Sequence, residues 1–118
     1  MDEAIKQELI DNGADVAGAI ARMANNEGLF VRILLKFLDD KSFENLKLHV
    51  AEKNYEEIYK DAHTLKGVTS NLGLNKLTDA SNVILNKVRE ENTEGLEEDL
   101  ENVKQAYEMY QGIIMKLK

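Results

Sequence analysis

The chain has 118 residues, 43% of them hydrophobic, and a formal net charge of -7. That length fits one compact domain, and that apolar content excludes wholesale disorder. The absence of cysteine excludes disulfides and thiolate metal sites, and scattered Lys and Arg residues offer no concentrated basic face for nucleic acid.

No proline interrupts the chain, so nothing forces long helices to break and an all-α fold is expected. A first helix is predicted from Asp2 to Asp11, with Ile5 and Leu9 on one face and Gly13 ending it. Asp15 is a good N-cap for a short second helix carrying Val16, Ile20 and Met23. Asn26 caps a third, in which Leu29, Phe30, Ile33, Leu34 and Phe37 repeat at helical spacing. The pair Asp39-Asp40 interrupts that pattern and Ser42 restarts it, with Phe43, Leu46 and Val50 inward; one bent helix and two helices fit equally well. Asn54 followed by Glu57 resembles a capping box opening a helix that reaches Asn71, where Gly73 supplies a left-handed C-terminal residue. Asn75 is expected to cap the next helix, with Leu77, Ile84 and Val88 inward, and Thr93 the last. In that last helix Leu96, Leu100, Val103, Tyr107, Tyr110, Ile114 and Leu117 alternate in steps of four and three, a seam for partners on one side. The run Glu97-Glu98-Asp99 suits its first turn.

Single apolar stripes joined by short linkers predict an antiparallel four-helix bundle with short N-terminal capping helices. The whole chain reads as one domain, with the capping helices over residues 1–25 and the helical bundle over 26–118. Apolar stretches are too short to cross a bilayer, and Met1 to Glu8 lacks the apolar core of a signal peptide. A soluble, cytoplasmic monomer without membrane or nucleic-acid partners is expected.

The informative stretch is Asp61-Ala62-His63-Thr64-Leu65-Lys66-Gly67-Val68-Thr69-Ser70-Asn71-Leu72-Gly73. On a helix each residue advances about 100°, so Ile58, Ala62, Leu65, Thr69 and Leu72 form the buried stripe. His63, Lys66, Gly67 and Ser70 then face the opposite way. A solvent-facing imidazole is largely uncharged at neutral pH and keeps a ring nitrogen free to attack phosphorus. Lys66, one turn on, can neutralise the oxygens of a moving phosphoryl group. Gly67 costs the helix roughly 1 kcal/mol relative to alanine, a poor filler unless close approach by another molecule is needed. These residues describe an open docking site for phosphate chemistry.

The stretch resembles the histidine phosphotransfer (HPt) family, whose motif is Ala-His-x-Leu-Lys-Gly followed by Leu-Gly. Here Ala62-His63-Thr64-Leu65-Lys66-Gly67 and Leu72-Gly73 fill every motif position, and the likeness extends from about Asp15 onward. Val68 and Thr69 depart from it, standing where members often carry smaller Ser or Ala residues. The resemblance implies a four-helix bundle with His63 as phosphoacceptor, supported by Lys66 and Gly67. It further implies a carrier in a multistep His-Asp phosphorelay of two-component signal transduction, not an enzyme with its own ATP site. Response-regulator receiver domains would be the partners, a hybrid sensor kinase the candidate bearer of one. No cofactor is expected on this chain, and the Mg²⁺ would sit on the receiver.

Tyr59 on the His63 side, and Asn82, Asn86 and Arg89 on the following helix, are candidate phosphate or partner contacts along with Ser70. Tyr55 is a further surface aromatic near His63, whereas Tyr107 and Tyr110 fit the core. His49 falls on the flank of its helix, near neither the core nor His63, and reads as solvated. A di-iron bundle needs Glu three residues before a ligating His; Lys60 and Leu46 stand there instead, so no metal is expected. The dimerisation box of sensor kinases usually follows its His with an acidic residue and ends in proline, unlike Thr64 and this proline-free chain. No glycine-rich nucleotide loop is present. Two alternatives remain open: the phosphotransfer domain of a chemotaxis-type kinase loaded from ATP by a kinase domain elsewhere, and an unphosphorylated interaction module.

Overall fold

The computed structural model describes residues 1–118 as seven helices: α1 (Glu3–Asp11), α2 (Val16–Arg22), α3 (Glu27–Phe37), α4 (Ser42–Glu52), α5 (Tyr55–Asn71), α6 (Asn75–Arg89) and α7 (Leu96–Met115). There is no strand, and no helix is long and apolar enough to cross a membrane.

Several starts follow from side-chain caps, in which a carboxylate or amide oxygen accepts an otherwise orphaned backbone N–H. Asp2 accepts from Ile5, Asp15 from Gly18, Asn26 from Leu29 and Asn54 from Glu57. The Asp39–Asp40 interruption separates two helices: Asp40 accepts the Ser42 N–H at 2.7 Å and restarts the chain as α4. Two expected caps are absent. Leu74 is the N-cap residue of α6, and the Asn75 amide donates instead to the Gly13 carbonyl. Exposed Thr93 lies in the turn before α7, which starts after left-handed Gly95. At Asn75 a tertiary hydrogen bond outweighs the local capping preference, and before α7 the Glu94 N–H donates to the Asn92 side chain while Gly95 turns the chain into the helix.

α4, α5, α6 and α7 form the ring of the bundle: α4 packs on α5, α5 on α6, α6 on α7, and α7 returns to α4. α3, expected inside the bundle, rests on α7 and α2 instead, so the capping layer runs from α1 through α3. The sequence placed that boundary near residue 26 because the stripe of α3 is as apolar as that of a bundle helix. Its Phe30, Leu34 and Phe37 are buried all the same.

Two tyrosines tie the layers together. The Tyr107 ring stacks on Phe43 at 4.6 Å between centroids and meets Phe37 edge-on at 5.9 Å, joining α7 to α4 and α3. The Tyr110 hydroxyl donates to the Asn12 carbonyl at 2.9 Å and accepts the Lys76 N–H at 3.2 Å, joining α7 to the ends of α1 and α6. Lys87 of α6 reaches Asp99 in the first turn of α7 at 2.6 Å and donates to the Glu94 carbonyl, bracing the intervening turn.

The C-terminal end of α5 is held from three sides. Gly73 is left-handed, with φ +72°, and its carbonyl accepts the Asp15 N–H at 2.9 Å. The Arg22 guanidinium donates to the carbonyls of Ser70 and Asn71, which end a helix that has no basic residue in its own last turn. Buried Thr69 donates to the Leu65 carbonyl and pairs with the Thr78 hydroxyl across α5 and α6. This residue, a departure from the family pattern, is thereby accommodated with its polar atom satisfied.

A Cβ on Gly73 would lie 2.5 Å from the Asp15 carbonyl oxygen, and that obstruction is backbone. With the left-handed conformation alone costing about 1–2 kcal/mol, Gly73→Ala is expected to lower the unfolding free energy by about 2 kcal/mol or more. Urea unfolding with an unchanged m-value would check this.

Candidate functional site

α5 presents the site because its opposite face is buried. Ile58, Ala62, Leu65, Thr69 and Leu72 are all inaccessible to solvent, the stripe expected from the sequence. Fully burying each aliphatic side chain stabilises by about 1.5–3 kcal/mol, so rotating the helix to hide His63 would expose several of them. His63 is therefore held outward in mid-helix. Neither of its ring nitrogens is hydrogen-bonded to the protein.

Lys66 is half-buried in the next turn and makes no ion pair with any carboxylate of the chain. Its charge is thus uncommitted. Gly67 is exposed, and a Cβ added there would meet nothing within 4 Å. No internal packing requires glycine at this position. The space it leaves lies outside the protein, where a tetrahedral phosphate or another backbone can approach the imidazole.

Of the other expected residues, two join His63 in an aromatic and cationic group. The Tyr59 ring lies 6.2 Å from that of His63 at an interplanar angle of 26°, one helical turn before it. The Arg89 guanidinium stands over the other ring of that pair, 5.9 Å from the Tyr59 centroid. A groove between α5 and α6, lined by Tyr55, Tyr59 and Val88 among others, opens beside this group. Asn82 is half-buried and Asn86 exposed on α6, and neither is hydrogen-bonded to His63. Ser70 lies two turns beyond His63, about 10 Å along the helix, with its carbonyl held by Arg22.

His49 departs from expectation. Near the end of α4 its Nδ1 donates to Asp61 Oδ2 at 2.5 Å, and Asp61 is almost wholly buried. The hydrogen bond to Asp61 raises the His49 pKa above its ordinary value; partial burial opposes this, while the negative charges of Asp61, Glu57 and Glu52 reinforce it. The sequence held a weak signal: Asp61 borders the buried stripe, where a carboxylate needs a partner. The two histidines therefore differ chemically. His49 has its Nδ1 tied to a carboxylate, whereas His63 has both nitrogens available.

Residues 31–112 match the family model described as the Hpt domain. No curated protein and no solved structure matches the chain.

A raised histidine pKa contributes stability that is fully present below its unfolded value of about 6.5 and lost as pH rises through the folded value. In the presence of a chelator, wild type should exceed His49→Gln in stability most below about pH 6.5, with the gap narrowing as pH rises above that value. Parallel stability curves would show that the pair contributes no proton linkage. Denaturant titrations at each pH supply the measurement.

Proposed function

The chain belongs to the Hpt domain family, and on that premise we propose that His63 takes a phosphoryl group from the aspartyl phosphate of one receiver domain and yields it to the aspartate of another. Family membership supports a histidine phosphotransfer role in a His-Asp relay of two-component signalling, with receiver domains as partners. The observation that carries the residue-level reading is an unpartnered imidazole in mid-helix, with an uncommitted lysine and a side-chain-free position one turn on.

In the loading step a lone pair on a His63 ring nitrogen attacks phosphorus. The new N–P bond forms as the P–O bond to the aspartate breaks, and the carboxylate leaves with that electron pair. Delivery runs the same exchange in reverse on the next receiver. Charge on the three peripheral oxygens is spread and needs cationic neighbours; Lys66 supplies one from this chain, and Arg89 stands near enough to Tyr59 to supply another. Asn82 and Asn86 face the phosphate or the partner from α6, and Ser70 marks the far edge of the docking surface. The receiver brings Mg²⁺ and its own acidic residues. The groove beside Tyr55, Tyr59 and Val88 accepts part of the receiver's surface. The chain works as a covalent carrier and needs no nucleotide site.

Incubation with receiver domains carrying labelled phosphate tests this. Acid-labile, base-stable label is expected on wild type and His49→Gln and absent from His63→Gln. Label persisting on His63→Gln would place the chemistry elsewhere.

Gly67→Ala separates approach from folding. It should raise stability by up to about 1 kcal/mol, since alanine is the better helix former and meets no obstruction. Transfer should nevertheless slow about tenfold or more, because small misplacements of reacting groups are costly. Transfer at the wild-type rate would overturn the role given to Gly67.

A further inference from the structure

We propose that His49, Glu57 and Asp61 form a binding site for a divalent transition metal, with Zn²⁺ as the matching probe, where the end of α4 meets the start of α5. The proposal stands apart from the phosphotransfer reading, since it uses neither His63 nor the face that carries it. One ligand atom from each of the three residues lies within 4.8 Å of the other two. An imidazole and two carboxylates are ordinary zinc donors, and three protein ligands leave room for water in a fourth position. The Glu-before-His spacing considered in the sequence does not reach this group, because its ligands come from two helices.

The His49–Asp61 hydrogen bond explains two of the three residues without a metal; Glu57 is what it leaves over. As the third residue of α5, Glu57 would ordinarily reach back to the Asn54 N–H and complete a capping box. That N–H instead donates to the His49 carbonyl at 3.0 Å. The Glu57 carboxylate is half-buried toward His49 and adds to the negative field on that imidazole. Its only ion-pair partner is Lys60, at 3.4 Å, a solvent-exposed neighbour of the kind that is readily exchanged. Asp61 meanwhile is nine-tenths buried and commits one oxygen to His49, leaving the other to accept no hydrogen bond from the protein.

Tetrahedral ligands about 2.0–2.1 Å from zinc lie roughly 3.3 Å apart. Binding would therefore open the 2.5 Å His49–Asp61 pair slightly and draw Glu57 inward. The ion takes the place of the proton on His49 Nδ1, which is displaced. Asp61 sits two residues before His63 on the same helix but on its inner flank, so an occupied site would brace α4 against α5 without covering the phosphoacceptor.

The test is calorimetric titration of the chelator-stripped full chain with Zn²⁺, in a His63→Gln background that removes the other imidazole. One equivalent is expected to bind. Glu57→Gln, which leaves the His49–Asp61 pair intact, should weaken binding about tenfold or more, the least that a direct ligand is worth when supporting groups carry that much. His49→Gln should do the same, whereas Glu56→Gln, on an exposed carboxylate in the same turn and outside the cluster, should change nothing. Co²⁺ substitution should give the visible absorption of an inner-sphere N/O site that Glu57→Gln alters. No binding, or binding indifferent to Glu57→Gln, would overturn the proposal and leave the cluster a plain ion pair.

Discussion

Burial of one stripe on α5 sets the orientation of everything else at the site. Ile58, Ala62, Leu65, Thr69 and Leu72 define the rotation of the helix about its axis. With about 100° per residue, that rotation dictates that position 63 points away from the core. The imidazole proposed as phosphoacceptor needs no holding contact of its own. Its exposure is a consequence of hydrophobic packing on the reverse face, and its two ring nitrogens stay free for an incoming phosphorus. A site built this way couples function to stability through phase: what loosens the stripe also lets the imidazole turn.

Phase is only useful if the helix is also held at its ends. At the C-terminal end, Gly73 brings its backbone against Asp15, Arg22 takes the last carbonyls, and Thr69 reaches Thr78. At the N-terminal end Asn54 caps the first turn, and nearer the middle, on the inner flank, Asp61 is pinned to His49. The polar links to α2, α4 and α6 thus leave from the ends and the inner flank of α5, whereas its outward face, with His63, Lys66 and Gly67, is free of polar links to the rest of the chain. A helix held at its ends and on its inner flank, with an unencumbered outer face, suits the two-partner exchange proposed for His63.

Much of this was legible in the sequence because it depends on local periodicity. The phase of α5, the outward His63, the caps at Asp15, Asn26 and Asn54 and the left-handed Gly73 all follow from residues within one or two turns of each other. What escaped depends on how helices meet. Arg22 caps carbonyls 48 and 49 residues away, and no composition rule selects it from the other basic residues. His49 was read as solvated because its own helix places it on a flank; only the antiparallel packing of α4 on α5 brings it level with Asp61. Asn75 and Thr93 are good caps by type, but Asn75 turns its amide N–H to the Gly13 carbonyl instead of capping, and α7 starts after left-handed Gly95. The apolar stripe of α3 likewise marks a buried face without saying which neighbours cover it.

The two histidines differ in how far their imidazoles are committed within the protein. Both lie within two turns of each other's level along the α4–α5 hairpin, and both belong to amphipathic helices. His49 falls where a neighbouring helix brings a buried carboxylate to its Nδ1, and that nitrogen is thereby committed within the protein. His63 faces outward between Tyr59 and Lys66, with an aromatic face on one side and an uncommitted charge on the other. At His63 and Lys66 no internal ion pair or side-chain hydrogen bond would have to be broken to admit the phosphoryl group of the proposed transfer. Having to break a hydrogen bond of the His49 kind first would add to the barrier and slow transfer. Leaving the site's polar groups unmatched within the protein is therefore the condition for matching them, briefly and reversibly, to a partner.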